Sequence, residues 1–401
     1  MRDNYDVVVV GAGPGGSVAA QTAAEECDVL LIEKRQEIGA PVRCAEGVDK
    51  ERFLEFIQPD KKWIASEIHT YRVNAPDGAM VELSGEAIGF ETIYVLERKL
   101  FDRELAKRAA RAGADVMVRT RATGLIKEDG AVKGVKINRL GENFEVRAKV
   151  VIGADGVESQ VGRWGGINTT LKLEDIESCA QYYMTNVDEV EDGVIDAYFG
   201  SVAPSGYAWL FPKGEKTANI GVGVLASKLD GKRSVDYLNE FAMKHFPDGQ
   251  PAELVMGGVP ASDKLKIIAG NGLLLVGDAA HCGDPVTGAG IVAAMESGKM
   301  SGEVACKSVR QNDASMRVLK EYQSKWHNTY GKVQKHNYKI KEFHANTSDE
   351  EFNKVIRELK NIKLGETNPI HAATRLLKAN PRLLLVIRHL LYRGTHGYRL
   401  G

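Results

Sequence analysis

Gly11, Gly13 and Gly16 stand at G-x-G-x-x-G spacing within Gly11-Ala12-Gly13-Pro14-Gly15-Gly16, directly after the apolar run Val7-Val8-Val9-Val10. Each glycine answers a separate physical demand. Gly11 permits a tight turn, Gly13 lets backbone N–H groups approach a pyrophosphate, and Gly16 lets a helix pack closely on its strand. The helix would then face the anion with unpaired N–H groups and the positive end of its dipole. Glu33 lies about twenty residues on, where a carboxylate binds ribose hydroxyls and disfavours a 2′-phosphate.

A second segment far downstream repeats this grammar. Leu274-Leu275-Val276 runs into Gly277-Asp278, and Asp284-Pro285-Val286-Thr287-Gly288-Ala289-Gly290-Ile291 precedes a helix predicted to reach about residue 308. Asp278 is placed to accept a hydrogen bond from a ribityl hydroxyl. Free N–H groups at the start of the helix would stabilise negative charge on a reduced flavin ring. One glycine turn alone is a dinucleotide site of unknown type. The two together point to FAD, because the ribityl and ring end of that cofactor needs a second grip. Asp155 and Gly156, which close another apolar strand, are expected at the cofactor edge of the sheet, with a plain Asp-Gly turn as the alternative. His281 reads either as a proton relay or as a hydrogen-bonded loop residue.

These residues need elements to hold them. Residues 5–10 and 29–32 read as buried parallel strands flanking an Ala-rich helix over about 15–26, the opening of a Rossmann-like unit. Residues 97–112 read as a charged amphipathic helix, and 116–120, 123–138 and 144–151 as strands. From about 175 to 226 short apolar or alternating runs (Tyr182–Met184, Val194–Phe199, Tyr207–Phe211, Ala218–Leu225) are broken by Gly, Pro and Asp, which predicts an antiparallel sheet. A helix over about 233–246 follows, and the last seventy or so residues read as helical. The expected division is a discontinuous α/β FAD-binding domain (1–75, 97–165, 265–325), an antiparallel-sheet substrate domain (76–96, 166–264) and a helical C-terminal region (326–401).

The chain has 401 residues with 43% apolar and 27% charged side chains and a net charge of −1, which gives no reason to expect nucleic acid. No run of eighteen apolar residues is present, and the chain enters a strand at once, so neither a membrane span nor a signal peptide is expected. The five cysteines are scattered, without metal spacing, which predicts a reducing, cytoplasmic setting. After Glu366 the chain carries no acidic residue but has Arg375, Lys378, Arg382, Arg388, Arg393 and Arg399 beside the apolar runs Leu383–Ile387 and Leu390–Tyr392. A basic amphipathic helix of this kind could lie on the inner face of a membrane, or simply cap the substrate domain.

The three glycine and aspartate segments together resemble the para-hydroxybenzoate hydroxylase type of flavoprotein. Pro41-Val42-Arg43-Cys44-Ala45-Glu46-Gly47 and Tyr207-Ala208-Trp209-Leu210-Phe211-Pro212, followed by Gly221-Val222-Gly223, narrow the resemblance to the geranylgeranyl reductase family. It covers nearly the whole chain and is closest to the archaeal digeranylgeranylglycerophospholipid reductases. The resemblance implies FAD contacts from Glu33, Cys44, Ala45, Gly47, Arg98, Ala122, Asp278, Gly290 and Ile291. Arg98 would offset pyrophosphate charge, and Arg43 is a second candidate cation. Cys44 is the catalytic candidate, as proton donor or as a group that positions the double bond; packing beside the flavin is the alternative. Tyr207, Trp209 and Phe211 alternate, so they share one strand face. That face could wall an apolar chain or form plain sheet core, and Gly221 and Gly223 would leave it bare for a ligand.

The function implied is FAD-dependent saturation of isoprenoid double bonds on a diether lipid. The reductant is left open among ferredoxin, a nicotinamide and another low-potential donor. A flavin monooxygenase or halogenase of the same fold is the alternative, and a non-enzymatic lipid carrier a third reading.

Overall fold

The computed structural model describes residues 2–85 and 92–362. Two compact units alternate along the chain. The first is Met1–Val42, Arg98–Lys172 and Pro260–Lys335; the second is Arg43–Glu97, Leu173–Val259 and the chain from His336 onward.

In the first unit, the runs Val7–Val10 and Val29–Ile32, within the strands Asn4–Val10 and Val29–Ile32, are built of Val, Leu and Ile and are buried throughout. Runs buried on both faces are what a parallel sheet requires. Asn4–Val10 lies between Val29–Ile32 and Glu142–Gly153, parallel to both, with Val7 opposite Val29 and Val10 opposite Gly153. Asp115–Met117 extends the sheet beyond Val29–Ile32, and Leu273–Leu275 beyond Glu142–Gly153, both in parallel. Ala131–Arg139 and Thr120–Glu128 form an antiparallel extension.

Two helices of this unit, Pro14–Ala24 and Ile291–Arg310, cross closely. A Cβ on Gly298 would stand 2.3 Å from the Gly15 carbonyl oxygen, and one on Gly302 2.8 Å from that of Ala19. Gly15, Ala19 and Ala23 on one helix thus meet Gly298, Gly302 and Cys306 on the other at four-residue spacing, and Cys306 Sγ reaches the Ala23 carbonyl at 3.3 Å. The helices run in the same direction, because contacts advance along both together.

The second unit holds a seven-stranded sheet in the order Gln250–Pro260, Ile176–Thr185, Thr217–Leu225, Tyr207–Gly214, Val194–Tyr198, Thr70–Asn74, Met80–Ser84. The sheet is not wholly antiparallel as expected, since Thr70–Asn74 joins Val194–Tyr198 in parallel. The helix Ser234–His245 buries Tyr237, Leu238, Phe241 and Ala242 against Ala180, Ile220, Val222 and Val224. A small sheet pairs Ile93–Leu96 with Gly47–Asp49 and Ile64–Ile68.

The division differs from the expected one in residues 43–75, which cluster with the second unit, and in 166–172 and 260–264, which cluster with the first. For 43–75 the reason is strand pairing: Gly47–Asp49 and Thr70–Asn74 find partners distant in sequence. The expected C-terminal region is also divided, residues 326–335 going with the first unit and those from His336 with the second. Its described helices are Tyr330–His344 and Asp349–Lys360, the latter opened by a Ser348–Glu351 capping box. The basic segment after Glu366 lies outside the described residues. Among the described residues no helix is long and apolar enough to cross a membrane.

Candidate functional site

In the first unit the predicted nucleotide residues meet at the carboxyl ends of the parallel strands. Gly11 has φ +107°, and a Cβ there would stand 2.3 Å from the Ala154 carbonyl oxygen, so the first glycine turn abuts Ala154-Asp155-Gly156. A Cβ on Gly16 would stand 1.8 Å from the Gly11 oxygen. Only glycine fits either place. Gly13 is different: nothing in the protein lies within 4 Å of its Cβ position. It opens the helix Pro14–Ala24 without a side-chain cap, and no acidic residue occupies the first turn. Free N–H groups beside open space form an anion cradle, the feature a pyrophosphate needs.

The Glu33 carboxylate is tethered at both oxygens. Its Oε2 accepts from the Ala12 N–H at 3.1 Å and its Oε1 from the Arg35 N–H at 2.9 Å. The Thr120 N–H donates to the Glu33 carbonyl, which brings the strand containing Ala122 alongside. Asp155 Oδ2 accepts from the Val161 N–H at 2.9 Å, in the first turn of the helix Gln160–Trp164. Burial pushes its carboxyl up.

The downstream segment joins the same set. A Cβ on Gly15 would lie 3.0 Å from the Ala294 oxygen, one on Gly277 3.2 Å from Ala294 Cβ, and one on Gly290 3.6 Å from Asp278 Oδ1. Gly288 (φ +70°) turns the chain ahead of Gly290, which opens the helix Ile291–Arg310 without a side-chain cap and without acid in the first turn. Two uncapped helix N-termini therefore stand together, and their fields add. Burial pushes Asp278 up, and the Arg98 charge opposes that shift. Arg98 itself is gripped by Asp102, Nε–Oδ1 2.7 Å and Nη2–Oδ2 2.8 Å, a pair the sequence reading did not anticipate. His281 is buried, with Nδ1 3.2 Å from Ser262 Oγ and Nε2 3.2 Å from the Thr169 carbonyl. Both ring nitrogens are engaged within the loop, which fits the hydrogen-bonded loop residue.

The second unit contains Arg43, Cys44, Ala45, Gly47 and the aromatic strand. Cys44 Sγ accepts from the Glu46 N–H at 3.2 Å, so the thiol helps to shape its own turn. Glu46 has φ +76°, a conformation costly for a side-chain-bearing residue. A buried ion pair holds it there: Lys213 Nζ lies 2.7 Å from Glu46 Oε2 and 2.9 Å from Glu97 Oε1, and also donates to the Leu96 carbonyl. Asn219 Nδ2 donates to the same Glu46 oxygen at 2.6 Å. Gln181 Nε2 donates to the Cys44 carbonyl at 3.0 Å, while its Oε1 accepts from Trp209 Nε1 at 3.0 Å. The loop is thus fastened to strand positions that local pattern did not mark.

Tyr207 and Trp209 share a face as expected, with ring centroids 5.6 Å apart. The row continues through Phe199, 6.0 Å from Tyr207, to Phe352, 5.7 Å further. The glycines of this face differ from expectation. Gly221 lies opposite Trp209 in the sheet, and its Cβ would stand 2.3 Å from the indole Cζ2. Gly223 faces Cys179 Sγ at 3.3 Å and Trp209 Cζ3 at 3.7 Å. The protein's own side chains fill the space that was expected to lie bare for a ligand. Gly47 likewise makes room for Phe211, whose Cε2 would be 2.8 Å from its Cβ. Arg43 packs its stem against Gly257.

Glu177 was missed. Its Oε2 is buried without a hydrogen-bond partner, and burial pushes its carboxyl up to about 8. The only sequence signal was its alternation with Cys179 and Gln181 on one strand.

A family model described as the geranylgeranyl reductase catalytic domain matches residues 175–259, and one described as an NAD(P)-binding Rossmann-like domain matches residues 9–54. A flavin-dependent brominase superimposes with a TM-score of 0.67 at 18% identity, covering 96% of this chain and 93% of that one, which shows the fold alone. The crystal structure of a geranylgeranyl bacteriochlorophyll reductase-like protein from Thermoplasma acidophilum superimposes with a TM-score of 0.89 at 40% identity, covering 97% of this chain and 99% of that one. The digeranylgeranylglycerophospholipid reductase of Methanocella arvoryzae is 51% identical over 386 residues, 96% of this chain and 98% of that protein. With agreement of this depth over nearly the full length of both sequences, the chain belongs to the geranylgeranyl reductase family.

Proposed function

We propose that this protein is an FAD-dependent reductase that saturates the isoprenoid carbon–carbon double bonds of geranylgeranylated glycerophospholipids. The observation that carries the reading is the 51% identity, over nearly all of both chains, to a digeranylgeranylglycerophospholipid reductase. Physical support comes from the first unit, where the open position at Gly13, the tethered Glu33 carboxylate and two uncapped helix N-termini suit a dinucleotide that carries a flavin.

When bound, reduced FAD supplies a hydride to one alkene carbon. The protein's own groups do the rest. The backbone N–H groups from Gly13 onward would hold the pyrophosphate, with Pro14, Gly15 and Gly16 allowing the close approach. Glu33 would hold the ribose and Ala122 would leave room for adenine. Asp155, Gly156 and Asp278 would meet the ribityl stretch, and the N–H groups after Gly288 and Gly290, beginning with Ile291, would stabilise negative charge at the ring. Arg98 would offset phosphate charge. In the second unit the row Trp209, Tyr207 and Phe199 offers flat apolar contact to a prenyl chain, and the Cys44 turn positions the double bond. Excluding water matters here because an isolated alkene is a poor hydride acceptor and gains cation character as it is protonated. A ferredoxin or a nicotinamide would serve as reductant, and the substrate implies peripheral contact with a membrane surface.

The test is anaerobic reduction of the bound flavin with dithionite, addition of digeranylgeranylglyceryl phosphate, and mass spectrometry of the lipid. Gain of one H2 per double bond is expected. Unchanged lipid would overturn the reading.

A further inference from the structure

We propose that Cys27 and Cys306 form an oxidisable dithiol site, which a small-molecule disulfide converts into a covalent bridge that locks together the two glycine-opened helices of the first unit. The site stands apart from the reductase reading; only the effect of the bridge on the cofactor rests on that reading. Cys27 lies just beyond the helix Pro14–Ala24, and its N–H donates to the Ala23 carbonyl at 3.0 Å. Cys306 lies within the helix Ile291–Arg310, and its thiol reaches the same carbonyl at 3.3 Å. The two sulfurs, 279 residues apart in sequence, are 3.1 Å apart, and both thiols are free. A bond of about 2.0 Å asks them to close by about 1 Å, the scale of a small side-chain rotation.

Helix packing holds the pair in place. Cys306 continues the row Gly298 and Gly302 at four-residue spacing, and that row lies against the Gly15 and Ala19 carbonyls. With no side chain on either glycine, main chain meets main chain, and the thiols at the end of the row are pressed together. The two cysteines differ in access. Cys306 is buried, whereas Cys27 is half-buried and open on one side. Their shared hydrogen bond pushes the Cys27 thiol down and the Cys306 thiol up. Burial pushes Cys179 and Cys282 up as well. A reachable thiol held low beside a buried second thiol is the arrangement of an attacking and a resolving cysteine.

The exchange balances. The Cys27 thiolate attacks one sulfur of the small disulfide, the S–S bond breaks, and one small thiolate leaves with the electron pair. Cys306 then attacks Cys27 Sγ in the mixed disulfide and displaces the second small thiolate. The protons of the two cysteines pass to the two leaving thiolates. The protein dithiol is oxidised by two electrons, and the small disulfide is reduced to two thiols. The bridge spans the two helices whose N-termini open at Gly13 and Gly290, so it fixes the N–H groups that face the pyrophosphate and the ring.

The test is exposure of the folded, flavin-loaded protein to oxidised glutathione, followed by alkylation of free thiols and mass spectrometry. Loss of two hydrogen atoms is expected, with peptide mapping that joins Cys27 to Cys306 and reversal by dithiothreitol. Cys306→Ser should stop at one glutathionyl group on Cys27, and Cys27→Ser should form no bridge. Because the bridge closes a segment of 279 residues and so restricts the unfolded chain, Tm should rise by at least about 2 °C on oxidation. Flavin release on dilution should slow at least about threefold, since a rigidified site holds its ligand longer. Unchanged mass, or a bridge between any other two cysteines, would overturn the site. A bridge at Cys27 and Cys306 that moves neither Tm nor flavin release would overturn the lock. A chain that takes up no flavin at all would instead sink the reductase reading, and the dithiol site would still be decided by the mass and the map.

Discussion

The first unit prepares its site with main chain, and the second prepares its site with side chains. Around Gly11–Gly16 and Gly288–Ile291 the working groups are N–H donors, and side chains matter chiefly by being absent. Around Cys44 the working groups are Lys213, Glu46, Asn219 and Gln181, drawn from separate strands and loops. Two glutamates of the second unit stand in contrasting states. Glu46 is satisfied by Lys213 and Asn219, whereas Glu177 Oε2 has no hydrogen-bond partner. A paired buried charge fixes a loop; an unpaired buried acid stores a proton.

The contrast can be broken at several points. Gly16→Ala is expected to have the largest effect, since its Cβ would meet the Gly11 oxygen at 1.8 Å. A clash with main chain cannot relax by a rotamer change, so a loss of about 4 kcal/mol or more in urea unfolding is expected. Stability within about 1 kcal/mol of wild type would mean that the turn does not need its glycine. Lys213→Met comes next. It strands Glu46 in the interior at a cost of about 3–5 kcal/mol, and adding Glu46→Gln should restore at least half of it. Failure of the double variant to recover would show that the pair does more than cancel charge.

Gly13→Ala sharpens the comparison because its methyl meets no protein atom within 4 Å. Folding stability should change by less than about 1 kcal/mol, while flavin affinity falls at least about tenfold, near 1.4 kcal/mol. Unaltered flavin retention on dilution, read by fluorescence, would count against a main-chain cradle. The smallest effect is expected at Cys44, where Cys44→Ala should keep FAD but slow lipid saturation about tenfold, the scale of a positioning loss. Cys44→Ser, which keeps an acceptor for the Glu46 N–H, should recover part of that rate. Equal rates in both variants and wild type would reduce the thiol to packing.

Much of the first unit was legible in sequence. The helix predicted at 97–112 is Arg98–Arg111, and the apolar run Leu274-Leu275-Val276 lies in and just after the strand Leu273–Leu275. Periodicity reports local burial, and these elements are buried in the ordinary way for their type. The strands of 43–75 went to the wrong side of the division because their partners lie far along the chain. Gly221 misled because an empty position in sequence does not say whether a ligand or a neighbouring Trp will occupy it. Glu177 was illegible for a related reason. Glutamate on a strand reads as solvent-facing, and only the tertiary structure shows its Oε2 turned in against the glycines at 206 and 223.

By itself the chain specified a dinucleotide cradle, the helices and strands that present it and the family to which it belongs. Glycine is the one residue that tolerates the backbone angles and close approaches such a cradle requires, so the demand is written as a residue type at a fixed spacing. Tertiary structure alone decided that Lys213 neutralises Glu46, that Trp209 fills the space above Gly221 and that Glu177 Oε2 lies buried without a hydrogen-bond partner. Each depends on strands brought together over long separations, where the partner of a side chain is set by register and not by its neighbours in sequence.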